Sequence, residues 1–396
     1  MHEKLIAIQK ANVEYELLPF QFLLLTIWGI WHPKDWPVRL KNISNIIFIV
    51  VFCLDIIICF EMSIYLVLSI GTNDFKLVNI FFTSATITGI YKAIKTMQIR
   101  ESFRTILLNY FNYEHLCSLN TKERMIRESN QAQIRKVTVI YSASMAGIFA
   151  LNAIAPALSQ PDSTMQLPVD AWYPYSIQKS LNYWLTYFHQ IILGSSLICV
   201  HIGTDTLFVG LLLKLVCQIN ILRYRLQSLT SLCSKNFEHF NAMGRKFIYR
   251  YIHHQNEIYE FSKVLNNKFQ AVLLIQVITS IPNLCINVYT LSKYSGIINM
   301  DYISIFFNTT SSLIQLFITC WYGNEVLLSS LQIKKSIYEM DWTKLDVPTK
   351  KLLIVIMARS LRPIAFSVAH VIPMNIESFI KIIKISNSAF NVLQQT

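Results

Sequence analysis

Charge is what this sequence has least of: Asp, Glu, Lys and Arg make up only 15% of its 396 residues, against 53% hydrophobic residues. The apolar residues gather into long blocks instead of alternating with polar ones, which excludes an ordinary soluble domain of this length. Motifs of enzyme chemistry are missing as well. There is no glycine-rich phosphate loop, no His-Glu-x-x-His pair and no nucleophile elbow, so nucleotide-dependent, zinc-hydrolase and serine-hydrolase readings have no basis. A membrane-embedded transferase is the remaining catalytic alternative, and it would need acids or histidines converging at one depth. No catalytic residue and no cofactor is expected. The opening "MHEKLIAIQKANVEYELL" lacks the basic, apolar, small-residue order of a cleavable signal peptide. Of the eight cysteines, Cys53, Cys59, Cys199, Cys285 and Cys320 fall within apolar blocks, and Cys117, Cys217 and Cys233 at or beyond their ends. None is placed for an outer-loop disulfide, so they read as packing residues.

What is present is a series of membrane-length blocks. About 20 predominantly apolar residues cross a bilayer as a helix, and residues 42–70, 75–97, 135–158, 181–213, 270–291 and 302–330 meet that length. Residues 350–372 and 374–396 read as a broken seventh span. The stretch "LLPFQFLLLTIWGIW", 17–31, is shorter and interrupted by Pro19 and Gly29, so it reads as a re-entrant or interfacial segment. The fold class expected is therefore all-α, with seven transmembrane helices and the last span broken into two halves.

Basic residues set the orientation. Lys and Arg number 5 in 1–41, 7 in 98–136, 8 in 217–268 and 5 in 331–351, whereas the alternate segments hold only Lys76, Lys179 and Lys293. Short cytoplasmic loops carry the excess of Lys and Arg, which puts the N-terminus inside and the C-terminus outside. G-protein-coupled receptors run the other way up, and neither an Asp-Arg-Tyr triplet after the third span nor an Asn-Pro-x-x-Tyr in the seventh is present. The net charge of +12 is accounted for by loops facing anionic lipid and does not point to nucleic acid. The expected organisation is a cytoplasmic N-terminus with the re-entrant segment (1–41), spans one to four (42–216), a cytoplasmic helical anchor loop (217–268), spans five and six (269–330), and a cytoplasmic helix with the last span (331–396).

Several polar groups stand out against this background. Asp55 and Glu61 lie inside the first span, and Asp205 and Glu325 near the cytoplasmic ends of the fourth and sixth. Ionisable groups at depth need partners; Lys92 or Lys95 on the second span suits Asp205, and Asp55 has none in view. "HHQNE" at 253–257 has a faint metal-site look, but no further ligand lies nearby and no metal is expected. His189 and His201 read as packing or pocket residues. In the 217–268 loop, Phe237, Phe240, Phe247, Tyr251, Ile258, Phe261 and Leu265 recur at helical spacing, so this face covers either the fourth span of the same chain or another subunit. On the last helix Lys384, Ser388, Asn391 and Gln395 follow at spacings of four, three and four, with Phe379, Ile383, Phe390 and Leu393 opposite. Such a stripe must face protein or water, as a buried seam or as the lining of a pore.

The C-terminal third is more specific. "FITCWYGNEVLLSS", "IYEMDWTKL", "KKLLIVIMARSLRPI" and "ESFIKIIKISNSAFNVLQ", in that order and spacing, resemble the closing signature of the insect odorant receptors, and "LLLTIWGIWHP" near the N-terminus is similar to that family too. Insect gustatory receptors, which close on a Thr-Tyr motif, are the related alternative, as is an inverted seven-span receptor without a pore. One departure is Ser367-Val368-Ala369, where many members have a small residue followed by Gly before the final helix.

The resemblance implies an odorant-gated, non-selective cation channel of the plasma membrane of sensory dendrites. It implies a heterotetramer of a ligand-tuned subunit with the odorant receptor co-receptor. It also implies a pore along the last helix, narrowest at Val392, with Ser388, Asn391 and Gln395 lining it. The family binds odorants in the outer halves of spans two, three, four and six. The candidates there are Phe82 and Thr86 on span two, Phe149 and Asn152 on span three, and Tyr183, Tyr187, Gln190 and Ile191 on span four. Each alone fits ordinary helix packing better. Together they suit a neutral, medium-sized volatile such as an ester or terpenoid, held in a mostly apolar pocket.

Overall fold

The computed structural model describes residues 15, 17–70, 78–111, 120–158, 167–177, 179–229, 237–293, 300–369 and 371–395. Lys76, Cys117 and Cys233 lie outside the described residues, as do the side chains of Phe237, Phe240, Val392, Leu393 and Gln395. The regular secondary structure of the described residues is helical apart from one small hairpin. In order they form α1 (Pro19–Ile27), α2 (Val38–Ser69), α3 (Val78–Phe111), α4 (Thr121–Leu158), α5 (Ser180–Ser228), α6 (Phe237–Lys293), α7 (Met300–Glu339), α8 (Val347–Ser360), β1 (Ser367–Val368), β2 (Ile372–Pro373) and α9 (Ile376–Gln395).

The bundle is built around α5. From Val200 to Leu222 its sequence is apolar on almost every side, and a helix apolar all round has to be enclosed. Leu211, Leu212, Ile219 and Leu222 have no exposed surface, with α7, α4, α1, α3 and α6 packed around them. The α1 segment nests into this helix through glycine. A Cβ at Gly203 would come within 2.9 Å of Leu25, and one at Gly210 within 2.8 Å of Leu18. Gly29, at φ +73°, ends α1 in the left-handed conformation that costs glycine least, and the amides of Ile30 and Trp31 turn back onto the Leu25 carbonyl at 3.0 and 3.1 Å. The 17–31 stretch is thus a short helix held inside the bundle.

Five helices are long and apolar enough to cross a membrane among the described residues: Val38–Ser69, Thr121–Ile154, Ser180–Ser228, Gly244–Lys293 and Tyr302–Glu339. α2 leaves Ile43, Ile46, Ile49, Phe60, Val67 and Leu68 uncovered, an apolar face suited to lipid. α3 has the length, at 34 residues, but not the apolar composition, because Thr83, Thr86, Thr88 and Lys92 are turned into the bundle. Asp55 on α2 also points inward, and both carboxylate oxygens accept from the Ser196 hydroxyl, at 3.2 and 3.3 Å.

The stretch read as a cytoplasmic loop begins as the end of α5 and, from Phe237, is the first half of α6, a helix of 57 residues continuous with the fifth apolar block. Its apolar face is covered by the chain itself. Ile258, Phe261 and Leu265 are buried. Phe261 stacks on Tyr110 of α3 at 4.1 Å, and Gln255 donates to Ser360 of α8 at 2.9 Å. His254, from the "HHQNE" stretch, meets Gln218 of α5 at 3.2 Å.

The last span is broken, but unequally, and here the sequence-based boundary needs correction. Helix α8 covers only 14 residues, too short to cross a bilayer. It starts on Asp346, whose carboxylate caps the Thr349 amide at 3.3 Å and also takes Arg245 at 2.8 Å. Residues 361–369 and 371–372, expected to continue it, instead leave the helix and enter the hairpin. Pro363 and Pro373 disfavour helix there, and Val368 pairs antiparallel with Ile372. The hairpin backs onto α7 at Gly323, where a Cβ would run into the Met374 carbonyl. α9 then runs 20 residues, a full bilayer length.

Candidate ligand-binding cavity

Six helices, α2 to α7, converge on a cavity of about 220 Å³ roofed by Pro168 and Val169. Its composition is two-sided. Met62, Phe82, Phe149, Leu193 and Leu197 supply apolar walls from α2 to α5, and Gln276, Thr279, Ser280, Asn283, Asn308 and Ser312 supply polar groups from α6 and α7. A mostly apolar pocket with a few placed hydrogen-bonding groups is the usual form of a small-molecule site.

The floor is an ion pair locked in a hydrogen-bond network. Lys92 lies 2.5 Å from Asp205, with side chains 0% and 3% exposed. This is the pairing anticipated for Asp205. The carboxylate also accepts from Tyr141 at 2.9 Å and from Gln315 at 2.6 Å. His201 completes the layer: Nε2 sits 3.1 Å from the Ala85 carbonyl, and Nδ1 sits 3.3 Å from the Lys92 ammonium. A carbonyl can only accept and an ammonium can only donate, so this geometry assigns the proton to Nε2 and the lone pair to Nδ1. Tyr141, His201 and Gln315 all line the cavity. Opposite charges under a low-dielectric cavity hold one another in place, and each is costly to leave alone.

The roof is pinned by one side chain. Gln190 of α5 accepts from the Val169 amide at 3.0 Å, donates to the Val169 carbonyl at 2.8 Å, and donates to the Tyr173 hydroxyl at 2.9 Å. Both amide hydrogens are thereby used, and 167–173 is held over the opening. A backbone bond from Trp172 to the Glu61 carbonyl at 3.1 Å ties the same segment to α2.

Of the eight positions proposed from sequence, six meet at this cavity: Phe82, Thr86, Phe149, Asn152, Gln190 and Ile191. Asn152 is bonded across to α7, donating to Asn308 at 3.1 Å and accepting from Ser304. Tyr183 and Tyr187 are not among its lining residues. They lie toward the start of α5, where the Tyr187 hydroxyl donates to the Ala153 carbonyl at 2.8 Å and its ring packs with Trp184. On α9, Ser388 and Asn391 are exposed on the outer face of the chain, while Ser386 is the polar residue turned inward, toward the Ile281 carbonyl at 3.4 Å. Val392 and Gln395 belong to the same helix, but their side chains lie outside the described residues.

The wall supplied by α6 was missed by sequence reasoning, although a signal existed. Gln276, Ser280, Asn283 and Asn287 stand at spacings of four, three and four in an otherwise apolar block, the same polar stripe recognised on the last helix.

Comparison with known proteins agrees with this architecture. The family model described as 7tm Odorant receptor matches residues 72–387. Odorant receptor 46a, isoform B, of Drosophila melanogaster is 23% identical over 395 residues, covering 97% of this chain and 99% of the relative. Putative odorant receptor 92a of the same species is 24% identical over 229 residues, and the match covers 57% of this chain but 53% of that protein. Odorant receptor Or2 of Anopheles gambiae is 27% identical over 216 residues, covering 54% of this chain and 57% of that protein. With the latter two the chain spans little more than half of the relative's length. Among solved structures, the insect olfactory receptor OR5 from Machilis hrabei superposes with a TM-score of 0.80 in complex with eugenol and 0.82 in a second structure, at 15% identity, covering 98% of this chain and 99% of that one. This likeness establishes the shared helical fold. With four-fifths of its length matched by the family model, the chain belongs to the 7tm odorant receptor family, a family of receptors and not of enzymes.

Proposed function

We propose that the chain is a ligand-tuned odorant receptor subunit of the plasma membrane of sensory dendrites. In this reading it gates a non-selective cation pore in a heterotetramer with the odorant receptor co-receptor. The observation that carries the reading is the cavity: a roofed, largely apolar chamber among six helices, in a member of this family, is suited to a neutral, medium-sized volatile. The eugenol complex of OR5 supports a small aromatic or terpenoid-like guest. Helices α2 to α7 and α9 serve as the seven spans, and the excess of Lys and Arg in alternate loops favours an inside N-terminus and an outside C-terminus. The long cytoplasmic extension of α6 with α8 forms the anchor region beneath them.

The outward polar face of α9 supports a pore role for that helix. Ser388 and Asn391 are exposed in the single chain, so they are not a seam buried against its own helices, and at membrane depth polar groups require water or a neighbouring subunit. Four such faces meeting at an axis would line an aqueous path, with Val392 as the apolar constriction and Gln395 as the ring beyond it.

An odorant panel under voltage clamp tests the reading, in cells expressing the chain with and without the co-receptor. Odorant-evoked cation current is expected only when both are present. Equal current from this chain alone refutes obligate pairing, and no current to any odorant with both present refutes the channel assignment.

A further inference from the structure

We infer that Gln276 determines the specificity of the cavity, and that the molecule it selects bears a neutral hydroxyl on an apolar skeleton of ~9 non-hydrogen atoms, a size scaled from the cavity that holds benzene. The inference rests on the reading of this cavity as the odorant site.

Among the α6 residues that line the cavity, hydrogen bonding singles out one. Asn283 accepts from Ser84 at 2.9 Å, and Thr279 accepts from Thr88 at 3.2 Å. Ser280 donates to the Gln276 backbone carbonyl at 2.7 Å. The Gln276 side chain differs: it lines the cavity, is 2% exposed, and neither its amide oxygen nor its amide nitrogen has a hydrogen-bond partner among the described residues. A buried amide left without partners is costly, and a guest that supplies them recovers that cost. On the α7 wall of the same cavity, the Asn308 amide nitrogen is also unpartnered among the described residues.

The chemistry of the guest follows from what an amide offers. Its oxygen accepts and its nitrogen donates, so the complementary group must do both. A hydroxyl can donate to Oε1 while accepting from Nε2. An ether, ester or ketone only accepts, and a hydrocarbon does neither. Carboxylic acids and amines present both functions only when neutral; at neutral pH they are charged, and a carboxylate then only accepts while an ammonium only donates. None of the described lining residues is Asp, Glu, Lys or Arg, and the Lys92 and Asp205 charges are already paired with each other. Burying a further charge there has no compensation. The opposite wall of Phe82, Phe149, Leu193 and Leu197 takes the apolar skeleton. The cavity of about 220 Å³ is roughly one and a half times the 150 Å³ space that accommodates benzene, which scales to the ~9 atoms given above.

The test uses two matched series of that size: 2-phenylethanol, (2-methoxyethyl)benzene and ethylbenzene, then 1-octanol, 1-methoxyheptane and octane. Ligand-dependent thermal unfolding of the purified full-length chain reports binding, and voltage clamp with the co-receptor reports gating. At least one alcohol is expected to act at a concentration about tenfold or more below its ether and hydrocarbon, the ratio that ~1.4 kcal/mol carries. Gln276→Met, which keeps the volume and removes both polar functions, is expected to erase that preference. Where Gln276→Met is not delivered to the membrane, Gln276→Asn, which withdraws the amide by one methylene, is expected to reduce it. The inference is overturned if neither alcohol outperforms its ether, if no member of either series binds, or if the variant that folds retains the full preference. Alcohol-selective stabilisation without current refutes the channel assignment and leaves the Gln276 role standing. Current to other odorants without alcohol preference does the reverse.

Discussion

Removing the Lys92 ammonium should destabilise the receptor more than removing both charges of the pair. The ion pair is enclosed, with side chains 0% and 3% exposed at 2.5 Å, so Lys92→Met leaves the Asp205 carboxylate buried with only the neutral donors Tyr141 and Gln315. Breaking a buried pair from one side costs about 3–5 kcal/mol, whereas replacing both members by neutral groups is often close to neutral. At about 2.1 cal/mol/K of unfolding entropy per residue over 396 residues, the single change corresponds to a fall in melting temperature of roughly 4–6 °C. In Lys92→Met/Asp205→Asn the new amide oxygen still accepts from Tyr141 and Gln315, so most of that loss should return. Fluorescence-detected thermal unfolding of the four members of the cycle, in one detergent, gives the coupling energy directly. The reasoning is refuted if Lys92→Met alone melts at the wild-type temperature, or if the double variant melts no higher than the less stable single one.

Two further outcomes follow from the roof and the hairpin. Gln190→Ala removes three hydrogen bonds that hold 167–173 over the cavity, a loss of ~1–3 kcal/mol at the roof; faster ligand dissociation, measured as quicker current decay on washout, is expected at unchanged surface delivery. Ala369 sits at φ +50°, a left-handed conformation that costs a residue with a Cβ about 1–2 kcal/mol and a β-branched one more. Melting temperatures should therefore rank Ala369→Gly at or above wild type and Ala369→Val clearly below it.

The helical architecture was legible because its cause is one-dimensional: blocks of apolar residues of bilayer length must form helices, whatever they pack against. The partner of Asp205 was legible for a related reason, since a buried carboxylate requires a cation at the same depth and Lys92 and Lys95 were the candidates. Asp55 was not, because its partner is a serine hydroxyl on α5, and serines are too common in these blocks to point to. The end of α8 at Ser360 was hidden by the apolar run that precedes it; Pro363 and Pro373 carried the information, but hydropathy outweighed them. Gln190 illustrates a different limit. Spacing could place it at the cavity, yet its amide is occupied by the backbone of Val169, a contact made by a segment whose course no periodicity describes.

The two polar stripes show what periodicity can and cannot decide. Gln276, Ser280, Asn283 and Asn287 on α6 repeat the four, three, four spacing of Lys384, Ser388, Asn391 and Gln395 on α9, and both stripes must avoid lipid. Their fates differ because their helices differ in position. α6 is clasped by α3, α5, α7 and α9, so its stripe turns inward, where Asn287 is fully buried and Gln276 borders a cavity. α9 packs on α6 and α7 only along one side, and that side is taken by Ile382 and Ser386. Its Ser388 and Asn391 are left exposed, with the Ser388 hydroxyl donating to the Lys384 carbonyl one turn earlier at 2.9 Å. In the proposed reading the inward stripe of α6 borders the ligand chamber. In that reading the outward stripe of α9 is completed by water and other subunits, which would put ligand chamber and conduction path on opposite sides of the contact between α6 and α9. Coupling of binding to gating would then cross this contact, where the Ser386 hydroxyl reaches the Ile281 carbonyl one residue before Pro282 interrupts the hydrogen-bonding of α6.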